Sequence, residues 1–448
     1  INNIREMFPE MEIRQCGEVQ DSMELLELPG ISLDYLLKGL AGEEYRDDAV
    51  FQELYSWYLQ SPEYRTLVKR LTEVSFSERP SDMIGKTVAG ILYGEVSPYS
   101  ATRLERFAAC AFAHFLQYGL KVTERAEYEF RAMDMGNVMH MALEKFAAEV
   151  RKEGLDWADL TEEERNRIID DCLDQVSADY GNTVLKSSAR NEYMIERTRR
   201  ILRRTVWALQ EQLKHGEFRP EGFEVKFEGG RIDRVDIMEE PEKNRVYVKV
   251  IDYKTGNTSF DMLALYHGLQ LQLMIYLDGA LKVEQRKYPD REIVPAGIFY
   301  YNVKDPMIQE KIHADVERVQ DQVMKKLKMN GLVQADDDVS IKIDETLASI
   351  PVSRNKDGSF SRRSSVASRQ QFNALGEYVR RKICDIRESI LDGNAAVAPY
   401  ELGKKNACTY CPYITVCGFD RKIPGYEFHR LPSFSESDLW KKIMKEDE

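Results

Sequence analysis

The stretch GGRIDRVDIMEEPEKNRVYVKVIDYKTGN, Gly229 to Asn257, decides the fold. Two strand-like runs, RIDRVDIM and RVYVKVIDYK, flank the polar turn Glu-Glu-Pro-Glu-Lys-Asn, a pattern that predicts a β-hairpin with a loop of medium length. Period-two alternation puts Val246, Val248 and Val250 on one face of the second strand, and that face continues into Asp252 and Lys254. In the first strand Ile237, Val235 and Asp233 share a face by the same rule. Each apolar face therefore ends in a carboxylate. Pairing Met238 with Arg245 across the turn brings Asp233 close to Val250 and Asp252, within the roughly 4.5–8 Å of direct and diagonal cross-strand neighbours. Like charges that close are unfavourable unless a cation lies between them, and hard oxygen donors suit Mg²⁺ or Mn²⁺. Lys254, one pleat beyond Asp252, is placed to reach a water or phosphate oxygen held by that metal. The plainer reading of Asp-x-Lys on a strand is a charged hairpin end with a surface salt bridge, and the triplet alone does not separate the two.

The chain around this hairpin has 448 residues and 43% hydrophobic content, enough for two to four domains with sizeable cores. No run approaches the roughly 20 apolar residues that span a bilayer. The N-terminus also lacks a basic region followed by an apolar stretch, so the expectation is a cytoplasmic protein without membrane contact. Beginning at Ile1 without Met, the sequence reads as a piece of a longer polypeptide. A net charge of -13 does not advertise nucleic-acid binding, so local patches must carry it. Candidates are Arg197, Arg199, Arg200, Arg203 and Arg204 on one helix, and Arg362, Arg363 and Arg369 in SRRSSVASRQ; for each the alternative is a solvated face.

Seven cysteines in such a chain point to buried thiols or metal ligands and not to a disulfide framework. Cys16, Cys172 and Cys384 are isolated, whereas Cys408, Cys411 and Cys417 form C-x2-C-x5-C with Pro412 after the second. Three thiolates want a fourth.

Residues 1 to about 90 read as helices and loops. Gly85-Lys86-Thr87 is not a P-loop end, because the glycine required five positions earlier is Pro80. SPYSATRLERFAACAFAHFLQYGL offers Ser100 or Thr102 as a cap to an amphipathic helix containing Cys110, and MGNVMHMALEKFAAEV predicts a second. On that helix Met139, Leu143, Phe146 and Val150 form the core stripe, with His140 and Glu144 one turn apart beside it. A charged helical insertion is expected over 155–215. It is followed by FEVKFEG, the hairpin, a helix from about Asp261 to Leu281, and the strand VPAGIFYYNV. Helix, three strands, helix, strand predicts a mixed sheet flanked by helices. Beyond Asp305 the chain reads as helical, passes a polar stretch, and forms an amphipathic helix around FNALGEYVRRKICDIRESIL before the cysteines.

The His140 helix, G-R-I-D, I-D-Y-K and the segment Gln272-Leu-Met-Ile-Tyr276, in this order, resemble the RecB-type branch of the PD-(D/E)XK nucleases. TRLERFAAC before the core and C-x2-C-x5-C behind it narrow the resemblance to nucleases with an iron-sulfur staple, most of all to the C-terminal region of the AddB family of helicase-nuclease subunits. The resemblance covers roughly residues 95–425. It implies an α/β restriction-endonuclease-like core with helical additions over 95–430, a helical remnant of a helicase-like region over 1–94, and a tail over 431–448. His140, Asp233, Asp252 and the Tyr253 carbonyl would hold Mg²⁺ or Mn²⁺. Lys254 would orient the attacking water, and Gln272 and Tyr276 would support Lys254 and the substrate strand. Cys110, Cys408, Cys411 and Cys417 would hold a 4Fe-4S cluster, for which a Cys₄ zinc site is the alternative. Ala111 stands where the family usually has proline. The implied function is metal-dependent cleavage of single-stranded DNA, on the 5′-ended strand, beside an AddA-type helicase subunit. Two other readings stand at this point: a stand-alone iron-sulfur exonuclease, and an inactive scaffold that clamps DNA or a partner.

Overall fold

The computed structural model describes residues 29–41, 49–75, 82–94, 100–125, 132–180, 188–308, 315–336, 338–423 and 425–444. Cys16 and the last residues of the tail lie outside them. The chain divides into two compact units at Pro80/Ser81. In the first, helices α1 (Pro29–Ala41), α2 (Ala49–Gln60) and α3 (Arg65–Ser75) pack around Leu36, Leu40, Phe51, Tyr58 and Val68.

The second unit is built on a six-stranded sheet whose spatial order is its chain order. Ahead of the sheet come α4 (Lys86–Tyr93), α5 (Ala101–Ala109), α6 (Ala132–Lys152), α7 (Glu162–Asp179) and α8 (Ala189–Lys214). The strands are β1 (Arg219–Phe227), β2 (Gly230–Glu240), β3 (Arg245–Lys254), β4 (Glu292–Asn302), β5 (Asn330–Gln334) and β6 (Val366–Ala367). α9 (Gln272–Lys287) connects β3 to β4, and α10 (Arg369–Leu391) follows β6. β1–β2, β2–β3 and β4–β5 are antiparallel, while β3–β4 and β5–β6 are parallel, so the sheet is mixed as the element order predicts.

Alternation along the strands builds two cores. Val235, Ile237, Val246, Val248, Val250 and Ile298 face Leu273, Met274 and Leu277 of α9 and Leu375 and Val379 of α10. Met238, Tyr247, Ile251, Tyr253, Phe299 and Tyr301 face the opposite layer, to which α6 gives Leu143 and Phe146, α7 Leu173 and Val176, and α8 Leu202 and Val206. Met139, Leu143, Phe146 and Val150 are all buried, the stripe that periodicity predicts. Residues 155–215 thus contribute one helical layer of the core. At roughly 1.5–3 kcal/mol for each large apolar side chain buried, the two layers supply the main driving force for the fold.

Four expectations need correction. Glu240 pairs with Arg245 and Met238 with Tyr247, a register two residues tighter than Met238 with Arg245. The reason lies in the turn, where Pro241–Lys243 forms a 3₁₀ turn closed by Asn244 in the left-handed region, leaving both strands free to extend. A two-residue shift preserves the faces. The single helix expected over Asp261–Leu281 is broken into Met262–Tyr266 and α9, because Gly268 takes a φ of +81° between them. β5 is a strand in a region that reads as helical, and its Asn330-Gly331 start resembles a turn. Glycine is needed there for close approach: a Cβ at Gly331 would lie 1.8 Å from the Ile298 carbonyl oxygen on β4. Finally, Ser100 occupies the cap position of α5 but its hydroxyl makes no capping bond, and α5 ends at Cys110.

Candidate active site

The tighter register aligns the carboxylates. Arg234 pairs with Ile251, so one residue further along Asp233 stands directly across from Asp252. On the other side β1 pairs Phe223 with Arg234 and Val225 with Ile232, which sets Glu224 across from Asp233. Glu224, Asp233 and Asp252 therefore form a row across three adjacent strands, continued by Tyr300, the partner of Asp252 on β4. Glu224 has a φ of 50°, a left-handed conformation unusual for a strand residue, next to an irregularity in the β1–β2 register.

The row lies at a strand end that helices from both layers reach. From one side α6 brings His140, whose Nδ1 is 3.4 Å from Asp233 Oδ2 and whose ring lies 6.1 Å from that of Tyr253. α6 can come this close because residue 136, a turn before His140, is glycine, where a Cβ would press on Thr255 Oγ1 at 3.3 Å. The ligand atoms of His140, Glu224 and Asp233 lie within 4.8 Å of one another, the one such group of three donors among the described residues. From the other side α9 brings Gln272 and Tyr276. Lys254 Nζ lies 2.7 Å from Asp252 Oδ2 and donates to Gln272 Oε1 at 2.7 Å, and Gln272 Nε2 donates to the Tyr276 hydroxyl at 2.9 Å. The ammonium also lies 5.4 Å from the Tyr300 ring centre. Asp252 is 2% exposed and Lys254 28%, so the carboxylate is sealed in while the ammonium still meets solvent.

These positions set the electrostatics. Burial, then the neighbouring Asp252, raises Asp233 well above the carboxylate range, against a 2.7 Å bond accepted from the Tyr253 N–H. Burial likewise raises Asp252, opposed by Lys254. Glu224 is pushed up to about 6 by burial, although Arg231 pairs with it. His140 is lowered to about 4, first by burial and then by Lys254, with a bond to the Tyr253 main chain acting the other way. A neutral imidazole beside carboxyl groups that burial makes costly to ionise is a donor set suited to a hard divalent cation.

His140, Asp233, Asp252, Tyr253, Lys254, Gln272 and Tyr276 are thus brought together. Sequence pattern alone misses Glu224. Alternation in FEVKF puts it opposite Phe223 and Val225, the position of a solvated residue, and nothing local in the sequence signals its left-handed turn toward Asp233.

Cys110, Cys408, Cys411 and Cys417 line one small cavity with Phe112, Tyr413 and Phe419, although Cys110 is far away in sequence. Burial and then the three other cysteines push Cys408 up to about 11; burial also raises Cys110. Cys172 is buried in the core and Cys384 is exposed, away from these four. The arginine patch of α8 is largely neutralised: Arg199 pairs with Asp170 and Asp174, Arg203 with Asp170, and Arg200 and Arg204 with Asp305. Arg369 is paired with Glu292. Among the described residues no helix is long and apolar enough to cross a membrane.

Comparison with known proteins agrees with this geometry. An ATP-dependent helicase/deoxyribonuclease subunit of Lachnoclostridium phytofermentans is 37% identical over 470 residues, an alignment covering 100% of this chain and 40% of that protein. Proteins of the same description from Alkaliphilus metalliredigens and Clostridium acetobutylicum are 33% and 30% identical, each with 41% of its length covered. The chain thus spans about 40% of the length of these curated relatives. The family model of the PD-(D/E)XK nuclease superfamily matches residues 98–418, a span that takes in α5, the whole sheet, the carboxylate row and all four clustered cysteines. With most of its length inside that match, the chain belongs to the PD-(D/E)XK nuclease superfamily.

Proposed function

We propose that this chain is the nuclease part of a helicase-nuclease subunit of the AddB type, cutting single-stranded DNA during the processing of double-strand breaks in the cytoplasm, beside an AddA-type helicase subunit. The observation that carries the reading is the carboxylate row Glu224–Asp233–Asp252 with His140 on one side and Lys254 on the other. In this reading His140, Asp233, Asp252 and the Tyr253 carbonyl hold Mg²⁺ or Mn²⁺, and Glu224 joins them. A bound divalent cation would supply Lewis acidity at the phosphate and lower the pKa of a bound water.

The chain's own residues do the rest. Asp252 Oδ2 and Gln272 Oε1 hold Lys254 Nζ from two sides, each at 2.7 Å, so the ammonium is fixed before substrate arrives. Its remaining donor capacity is directed at the charge that grows on the phosphate during attack, a preorganised interaction worth on the order of 10²–10³-fold in rate. Tyr276 holds Gln272 in its turn. His140, neutral at working pH, offers a lone pair without first losing a proton.

For the four thiols the reading is a 4Fe-4S staple, with a Cys₄ zinc site as the alternative; their gathering in one cavity from both ends of the nuclease core supports a shared cysteine-held group. A cluster there would tie residue 110 to residues 408–417. The test is cleavage of end-labelled single-stranded DNA with and without Mg²⁺, by the native chain and by Asp252→Ala. Mg²⁺-dependent cleavage lost in the variant supports the reading, and equal cleavage by both defeats it.

A further inference from the structure

The helix that presents Gln272 and Tyr276 has no cap of its own. α9 opens after Leu271, which is in helical conformation and makes no side-chain capping bond. Its first amides are satisfied from elsewhere: Leu271 N–H and Gln272 N–H both donate to Oε1 of Glu105, at 2.7 and 2.9 Å, across 166 residues of chain. A carboxylate there answers both the unpaired N–H groups and the positive end of the helix dipole. Glu105 lies on α5, the nine-residue helix whose C-terminal cap is Cys110. The next residue, Arg106, faces the cysteines: its Nη2 is 3.9 Å from Cys411 Sγ, and its guanidinium lies 5.6 Å from the Tyr413 ring centre. One short helix therefore touches the cysteine cavity at one end and the start of the catalytic helix along its side.

We propose that Glu105 is a positioning residue: by fixing the first amides of α9 it sets Gln272 Oε1 against Lys254 Nζ, and through α5 it makes that alignment depend on the cysteine-held end of the chain. The inference rests on the nuclease reading above. Gln272 is at once an amide that Glu105 holds and the side chain that holds Lys254, so a displacement of its backbone passes directly to the ammonium. The positioning role does not require the charge, which adds only its favourable interaction with the helix dipole. Burial pushes its carboxyl up to about 7. Neutral or ionised, the group still accepts both bonds through Oε1.

The test uses the complete protein with its cysteine site intact. It measures kcat and KM on single-stranded DNA, visible absorption, and hydrogen–deuterium exchange of the peptide over 268–276. Glu105→Ala is expected to lower kcat by about 10²-fold, the effect of a misplacement of about 1 Å. KM and visible absorption should stay near those of the native protein, and exchange over 268–276 should quicken. Glu105→Gln, which keeps an acceptor in the same place, should restore most of kcat. Cys110→Ser should reproduce the faster exchange. Native kcat in Glu105→Ala, or Glu105→Gln as slow as Glu105→Ala, overturns the positioning role, and unchanged exchange in Cys110→Ser overturns the link to the cysteines. If Glu105→Ala does not fold, Glu105→Asp decides. It keeps the charge but draws the oxygen back by one methylene, so slow Asp with fast Gln supports the cap and the reverse overturns it. A native protein that fails to cut DNA would defeat the nuclease reading alone, since amide exchange still reports on the cap.

Discussion

Glu224 stands across from Asp233 on the neighbouring strand, ion-paired with Arg231, and in the proposed reading it is a ligand of the cation. Glu224→Gln should therefore raise the Mg²⁺ concentration needed for half-maximal cleavage several-fold while leaving the unfolding midpoint close to native, measured by Mg²⁺ titration of activity and by thermal unfolding. His140→Ala should behave similarly, with cleavage partly recovered at high Mg²⁺ or with Mn²⁺, because the imidazole is only partly buried, beside the core stripe of α6. Loss of folding in His140→Ala would make it a packing residue instead. These residues differ in how openly the sequence displays them. Asp233 and Asp252 are legible because alternation ends two apolar faces in carboxylates, and Lys254 follows from the same period. Glu224 is not, because its approach to Asp233 depends on a left-handed φ of 50° that propensity does not encode.

Among the elements, the hairpin holds a second group of charges that sequence patterning leaves unexplained. On the face turned away from the row, Arg234 donates to both oxygens of Asp236 at 2.5 and 2.9 Å, and Lys249 Nζ lies 3.0 Å from Asp236 Oδ2. All three are buried, and the Arg234 guanidinium lies 5.4 Å from the Trp157 ring centre. This cluster explains why charges interrupt both strands without reaching solvent. Removing one partner strands the others, so Asp236→Asn should cost about 3–5 kcal/mol in urea unfolding, with cleavage per folded molecule unchanged. A variant as stable as the native chain would show that the cluster contributes no net stability. The α9 boundary teaches a related lesson. The apolar periodicity of HGLQLQLMIYL reads straight through Gly268, where the helix breaks, and the first amides after the break are held by Glu105, a contact 166 residues away that no local window contains.

At the scale of the molecule, the sequence order of helix, three strands, helix and strand is enough for a mixed sheet flanked by helices, while β5 and β6 are hidden by their short runs and an Asn-Gly pair. The cysteine cavity brings residue 110 beside residues 408–417, and a cluster bound by all four thiols would close a loop around the whole nuclease core. Loop closure over such a span is worth about 5 kcal/mol on the chain-entropy estimate. Cys110→Ser and Cys411→Ser should therefore each bleach the visible absorption of anaerobically purified protein and make the core sensitive to protease. Colourless, zinc-containing native protein of full activity would refute the iron assignment. The central claim is that the row of carboxylates with Lys254 is a metal-dependent phosphodiester cleavage site. Its most direct test compares Lys254→Ala with the native protein for cleavage of single-stranded DNA in Mg²⁺ and in EDTA, with DNA binding measured alongside. Native cleavage should be abolished by EDTA, and the variant should bind DNA normally but cut on the order of 10²–10³-fold more slowly. Cleavage by Lys254→Ala at the native rate, or native cleavage that persists in EDTA, would contradict it.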